Sequence, residues 1–390
     1  MEYALSELFT LQMGKTPSRD NSSYWKKSEN NWISIADLTN SGKYISNTKE
    51  TLSDSAVAES GIKKIPANTV IMSFKLSLGK VAITEKEMYS NEAIMAFIDK
   101  GVEKISPEYL YYLLRAKDWS KGTNKAVMGA TLNKATLSTI KIQLHEYDNQ
   151  LEIVNMLNRV SSSIDFRKQQ LTKLDELIKA RFVEMFGDPI SNPFGFKVKT
   201  LQKMIDDGTI MYHLDGNHGS DYPRNEEFVE CGVPYISANC IVHNDVNLKL
   251  AKHLTEERAS KLRKGIAQNG DVLFAHNATV GPVAILYTDD EKVILGTSLT
   301  AYRCDKERMV PDYLKAYMQS EGFVCQYTKD MKQTTRNQVP ITAQRKFLFV
   351  IPPLSLQNQF AAFAAEVDKS KLFAELFAQN ACILAENRSK

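Results

Sequence analysis

The chain has 390 residues, 43% hydrophobic and 24% charged, which excludes wholesale disorder and fibrous architecture and calls for two or three folded domains. Its net charge of +3, from 49 basic and 46 acidic residues, excludes a histone-like polycation and leaves any nucleic-acid binding to local patches. Five scattered cysteines without CxxC spacing argue against a disulfide scaffold or structural zinc; no apolar stretch reaches the roughly 20 residues of a membrane span, and the start MEYALSELFTLQ carries acids where a secretory signal is basic, so a cytoplasmic protein is expected.

The first feature in chain order is a polar loop, Gly14-Lys15-Thr16-Pro17-Ser18-Arg19. Tyr24 and Trp25 follow and read as packing residues of a β-rich domain. Trp32-Ile33-Ser34 is strand-like, and Thr69 to Met72 and Val81 to Ile83 read as a hairpin around the loop Ser73 to Lys80, which carries Lys75 and Ser77. A helix is expected from Pro107, whose missing N–H costs nothing at the first helical position, with Ser106 as its cap and Leu110, Leu113 and Leu114 as its apolar stripe. Polar runs Lys121 to Lys125 and Thr131 to Lys134, the latter with Asn133, precede an apolar strand, Ile140 to Leu144.

Beyond Asn149-Gln150 the pattern changes period. From Leu157 the apolar positions Val160, Ile164, Leu171, Leu174, Ile178 and Met185 make a heptad seam broken by Arg167 and Arg181. A helix over 148 to 186 would be about 58 Å long. It should stop at Phe186-Gly187-Asp188-Pro189, where glycine permits a left-handed cap and proline forbids continuation.

The second half then repeats the first, about 203 positions later. Tyr235-Ile236-Ser237 answers Trp32-Ile33-Ser34; Asp271 to Phe274 answers Thr69 to Met72; Gly281 with Val283 to Ile285 answers Gly79 with Val81 to Ile83. Pro311-Asp312-Tyr313-Leu314 answers Pro107-Glu108-Tyr109-Leu110, Asn337 answers Asn133, and Asn358-Gln359 answers Asn149-Gln150. A second seam of Phe360, Phe363, Val367, Ser370, Ala374, Phe377, Ala381 and Leu384 follows. The expected fold is α+β: mixed α/β domains at 1–146 and 191–355, spacer helices at 147–190 and 356–390, and an antiparallel coiled coil giving an approximate twofold axis.

Two similar heads on a spacer suit an extended, periodic ligand such as double-stranded DNA, whose major groove returns to one face every 34 to 36 Å or so. Reading bases needs Arg, Lys, Asn, Gln, Ser or Thr on exposed loops. The first module offers Lys15, Thr16, Arg19, Lys75, Ser77, Asn133 and Lys134. The second offers Asn277, Thr279, Lys332, Arg336, Asn337 and Gln338, the last four in an acid-free polar run, Lys332 to Gln338.

With Gly14-Lys15-Thr16-Pro17, the repeated Gly79-Lys80-Val81-Ala82-Ile83 and Gly281-Pro282-Val283-Ala284-Ile285, the Asn-Gln helix starts, and Arg181 to Pro189 in this order, the chain resembles the DNA-specificity subunits of type I restriction-modification enzymes. The resemblance covers nearly the whole chain, but residues 205 to 230 hold no second Gly-Lys-Thr-Pro and the last helix no second Met-Phe-Gly-Asp-Pro. It implies two target-recognition domains, each reading one half of a split target, helices that set the gap, and docking of two methyltransferase subunits, with restriction subunits a further partner. It also implies a noncatalytic chain without cofactor, S-adenosylmethionine, ATP and magnesium belonging to the partners.

The residues themselves give little for an enzyme. Asn192-Pro193-Phe194-Gly195 lacks the second proline of an adenine-methyltransferase motif, Asp290-Glu291-Lys292 has no upstream nuclease partner, a P-loop is absent, and His213 and His218 suggest no metal site. The competing reading is a two-headed scaffold for other proteins, which steep salt dependence of binding would separate from a DNA reader.

Overall fold

The computed structural model describes residues 1–26, 28–75, 77–119, 124–126, 129–331 and 337–388. Side chains at 124–126, 129–131, 220, 329–331 and 374–388 lie outside the described set. The chain divides into two units, Met1–Arg167 with Phe377–Lys390, and Lys168–Leu376.

In the first unit a five-stranded sheet places Phe9–Met13 beside Ile94–Asp99, then Val70–Ser73, Val81–Thr84 and Tyr44–Ile45. The Val70–Ser73 and Val81–Thr84 strands are buried along their whole length because both faces of the sheet are covered. One face packs on the helix Pro107–Ala116 through Leu110 and Leu114, with Leu5, Leu8, Phe97, Leu137 and Val154. The other holds Ile33, Leu38, Ile71, Ala82 and Ile94. Pro107 sits at the expected first helical position, and the Ser106 hydroxyl accepts the Tyr109 N–H.

The second unit rebuilds this plan with a four-stranded sheet, Ile210–Asp215, Leu299–Cys304, Val272–Ala275 and Val283–Ile285, under the helix Pro311–Gln319. The repeat is therefore structural, and hydrogen bonds set its register. At the start of each long helix, a fully buried glutamine closes the N-terminus of the proline-led helix. Gln150 Oε1 accepts the Ser106 N–H at 3.0 Å, and its Nε2 donates to the carbonyls of Lys104 and His145. Gln357 Oε1 accepts the Val310 N–H at 2.9 Å, and its Nε2 donates to the Pro352 carbonyl at 2.9 Å. The partner of Gln150 is thus Gln357, not Gln359. The Asn-Gln strings match by composition, whereas an orphan helix N–H needs a buried acceptor at one place only.

The long helices are Tyr147–Phe186 and Leu354–Arg388. Within the second unit their neighbouring stretches run antiparallel. Lys371 pairs with Asp175 at 2.8 Å, Arg181 lies 5.7 Å over the Phe363 ring, and Phe182 meets Phe360 edge-on at 5.7 Å. The Arg181 interruption of the seam is thereby accommodated, because its guanidinium rests on an aromatic face. In the C-terminal helix the buried line is Phe360, Ala364 and Val367, continued by Lys371; Ser370 is exposed. Lysine occupies the seam through its aliphatic stem while its ammonium reaches Asp175 and Asp368. Gly187 caps the first helix with φ 72°.

Candidate nucleic-acid interface

Each module builds one tight loop from the same closing bonds. In the first, Gly79 N–H donates to Ser73 O at 3.0 Å, Ser73 N–H to Lys80 O at 2.9 Å and Ser77 N–H to Lys75 O at 2.7 Å. In the second, Gly281 donates to Ala275 at 3.0 Å, Ala275 to Pro282 at 2.9 Å and Thr279 to Asn277 at 2.9 Å. Lys75 and Asn277 are therefore equivalent, as are Ser77 and Thr279. Both glycines have positive φ, 76° and 122°, and a Cβ on Gly79 would stand 2.6 Å from Trp119. One backbone device thus carries a cation and hydroxyl in one module and an amide and hydroxyl in the other, the groups that base edges and phosphates bind.

The loop at Gly14 is also built twice. A Cβ on Gly14 would lie 2.2 Å from the carbonyl oxygens of Ser90 and Asn91; on Gly216, 2.2 Å from that of Gly296. The next residue ties to the chain in both: Lys15 Nζ donates to Ser60 O, and Asn217 Nδ2 to Lys264 O at 2.7 Å. Gly216-Asn217 is thus the counterpart that no Gly-Lys-Thr-Pro string announces in residues 205 to 230. Geometry retained the glycine and the tether, not the lysine.

Several candidates are engaged within their own module. Thr16 Oγ1 donates to Glu92. Arg19 forms a two-pronged pair with Glu50 at 2.6 and 3.0 Å and lies 3.6 Å over Trp25 and 5.0 Å over Trp32. Hydrogen bonding to Glu50 raises its pKa further, so it stays charged. The Asn133 side-chain oxygen caps the helix Lys134–Thr139 by accepting Thr136 N–H at 2.7 Å, with Lys134 exposed as its first residue. That helix matches Ile341–Gln344, whose cap is Pro340, so Asn133 and Asn337 are not equivalent.

In the second module Asn277 bridges Gln338, and Ala278 N–H donates to Asn337 O at 3.1 Å. Ala278 has φ 64°, a left-handed conformation that a non-glycine residue holds only where its neighbours impose it. Asn277, Thr279, Asn337 and Gln338 thus share one partly exposed edge. Lys332 and Arg336 lie outside the described residues, as does the side chain of Lys125.

Three residues behind this edge escaped the sequence reading as one group. Burial lowers the pKa of His213 to about 4 and lowers that of His276, so both are neutral at pH 7. Gln344, fully buried, binds His213, Tyr302, Thr300 and the Val339 carbonyl. The sequence carries no signal for them as a group, because the strands that align His213 and Tyr302 are paired only in the tertiary structure.

Among the described residues there is no His, Cys, Asp or Glu cluster fit for a metal ion and no helix long and apolar enough to cross a membrane. Residues 1–176 match the family described as "Type I restriction modification DNA specificity domain". The MjaIX type I restriction enzyme specificity subunit of Methanocaldococcus jannaschii is 27% identical over 240 residues, 59% of this chain and 55% of its own. The HindI specificity subunit of Haemophilus influenzae is 29% identical over 189 residues, 46% of this chain and 40% of its own. The chain therefore spans about half the length of these curated relatives. The crystal structure of a type I restriction-modification S subunit from M. genitalium shares the fold, with TM-score 0.55 at 12% identity over 100% of this chain and 95% of that one. A chain from a study of assembly and conformational transition in the type I R-M system gives 0.58 at 16% identity, covering 100% and 96%.

Proposed function

We propose, from the match of residues 1–176 to the family described as "Type I restriction modification DNA specificity domain", that this chain is the noncatalytic DNA-reading subunit of a type I restriction-modification complex. Each module reads one half of a split double-stranded target. The observation that carries this reading is the twice-built loop. The same closing bonds present Lys75 and Ser77 in one module and Asn277 and Thr279 in the other, which keeps the scaffold and changes the donor pattern offered to base edges.

The long helices, about 60 Å for the 40 residues Tyr147–Phe186, set the unspecified gap. Two methyltransferase subunits dock on the chain and bring S-adenosylmethionine; a restriction subunit brings ATP and magnesium. Arg19 holds the first module's loop in shape through Glu50 and Trp25, whereas Lys75, Ser77, Lys134, Asn277, Thr279, Lys332, Arg336, Asn337 and Gln338 are the reading groups, and Lys15, Thr16 and Asn133 order the loops beside them.

The test is to co-express the chain with its methyltransferase in a methylation-free host and map N6-methyladenine by long-read sequencing. The expected result is a split motif with a fixed gap. Replacing Arg336 and Asn337 by alanine should alter the half read by the second module alone. A stable complex that writes no methylation overturns the DNA role, and absence of a complex favours a scaffold.

A further inference from the structure

The two modules differ at five equivalent buried positions, and the difference is all in one direction. Strand pairing sets the equivalence. Leu11 stands opposite Phe97, and His213 opposite Tyr302. Phe97 and Met95 pair with Val70 and Met72, as Tyr302 and Thr300 pair with Val272 and Phe274. Phe74 O accepts the Leu132 N–H, as His276 O accepts the Val339 N–H. Leu137 stands as far beyond Leu132 as Gln344 stands beyond Val339. So Leu11, Phe74, Met95, Phe97 and Leu137, all within one apolar core, become His213, His276, Thr300, Tyr302 and Gln344, none more than 6% exposed.

An apolar layer of the right volume would fill this space, as it does in the first module. Buried polar groups gain little net stability over such packing, so what they add is direction. The bonds converge on one atom of the reading edge. The Val339 carbonyl accepts from Gln344 Nε2 at 3.1 Å and from His276 Nδ1 at 3.2 Å. A carbonyl oxygen only accepts, which fixes the Gln344 amide orientation and puts the His276 proton on Nδ1. Gln344 is itself held by Tyr302 Oη at 2.6 Å, His213 Nε2 at 3.2 Å and Thr300 Oγ1 at 3.1 Å. Val339 directly follows Gln338, which bridges Asn277.

We propose that Gln344, assisted by His276, is the positioning residue of the second module's reading edge, fixing Asn337 and Gln338 against Asn277 so that their amides present one set of donors and acceptors to the bases. The proposal rests on the DNA-reading function. The network touches no ligand; it acts through the Val339 carbonyl. Its polar residues therefore set specificity in one half of the target, whereas the first module relies on apolar packing behind its loop.

The experiment uses the full chain with its methyltransferase, mapped by N6-methyladenine sequencing, with Gln344→Leu, the residue of the first module, and Tyr302→Phe, which removes a bond to Gln344 and leaves Val339 untouched. Gln344→Leu should relax base preference in the second half-site by about tenfold, the scale of one lost buried hydrogen bond, with the first half-site and gap unchanged. Tyr302→Phe should lower the melting temperature and keep the motif. If Gln344→Leu yields too little protein, His276→Phe removes the other side-chain bond to the Val339 carbonyl and carries the same expectation. An unchanged motif in Gln344→Leu, or equal relaxation in both variants in proportion to lost stability, overturns the proposal. If the wild-type complex writes no split motif, the function fails, and amide hydrogen exchange decides the positioning by itself: the Val339 amide must exchange about tenfold faster in Gln344→Leu than in Tyr302→Phe.

Discussion

The inner layers of the two modules show how a fold can be kept while its means of support changes. Behind the first loop, Phe74, Phe97 and Leu137 fill space without directional demands. Behind the second, His276, Tyr302 and Gln344 occupy the same places and are joined by hydrogen bonds. Apolar packing tolerates small shifts, because dispersion and burial depend weakly on orientation. A buried amide does not, since a misaligned bond leaves a desolvated donor. The second module thus exchanges tolerance for geometric definition of its edge.

The sharpest way to break the equivalence is at the glycines. Gly14→Ala and Gly216→Ala should each cost about 3 kcal/mol or more, because the new methyl meets carbonyl oxygens 2.2 Å away that belong to a paired strand end. Thermal unfolding measures both. A mild effect at Gly216 with a severe one at Gly14 would separate loops that the structure equates.

Acid should distinguish the layers next. His213 has its pKa lowered, so its stabilising contribution is full above the unfolded value near 6.5 and is lost as pH falls toward 4. The second module should lose on the order of 3 kcal/mol over that window from His213, with His276 acting in the same direction. Asp215 opposes both shifts, while Arg345 beside His213 and His218 beside His276 reinforce them. No titratable side chain occupies the matching layer of the first module. Hydrogen exchange at pH 7 and pH 4.5 should show the Val272–Ala275 strand losing protection before Val70–Ser73 does.

Gln150→Leu and Gln357→Leu should cost roughly 1–3 kcal/mol each, by leaving the Ser106 and Val310 N–H groups buried without an acceptor. Equal costs would confirm the register set by the glutamines, and denaturant midpoints measure them. Least, Asn133→Ala should cost about 1 kcal/mol as a lost helix cap. The second module has no matching cap to lose, because Pro340 stands there.

Much of this was legible in the sequence alone. The repeat, the hairpin loops at Lys75 and Asn277, the proline-led helices and the long helices with their stop at Gly187 follow from hydrophobic period, from proline's missing donor and from glycine's access to positive φ. Those constraints act within a few residues, so order along the chain reveals them. The pairing of Gln150 with Gln357, the exposure of Ser370, the tether shared by Lys15 and Asn217, and the use of Asn133 as a cap depended on tertiary structure. Each turns on which distant carbonyl or N–H a side chain meets: Lys15 reaches Ser60, and Gln150 reaches Ser106. The polar layer around Gln344 is the plainest case. The sequence shows five polar or aromatic residues spread from His213 to Gln344; only the tertiary structure brings them behind one carbonyl, where Gln344 meets His213, Thr300 and Tyr302.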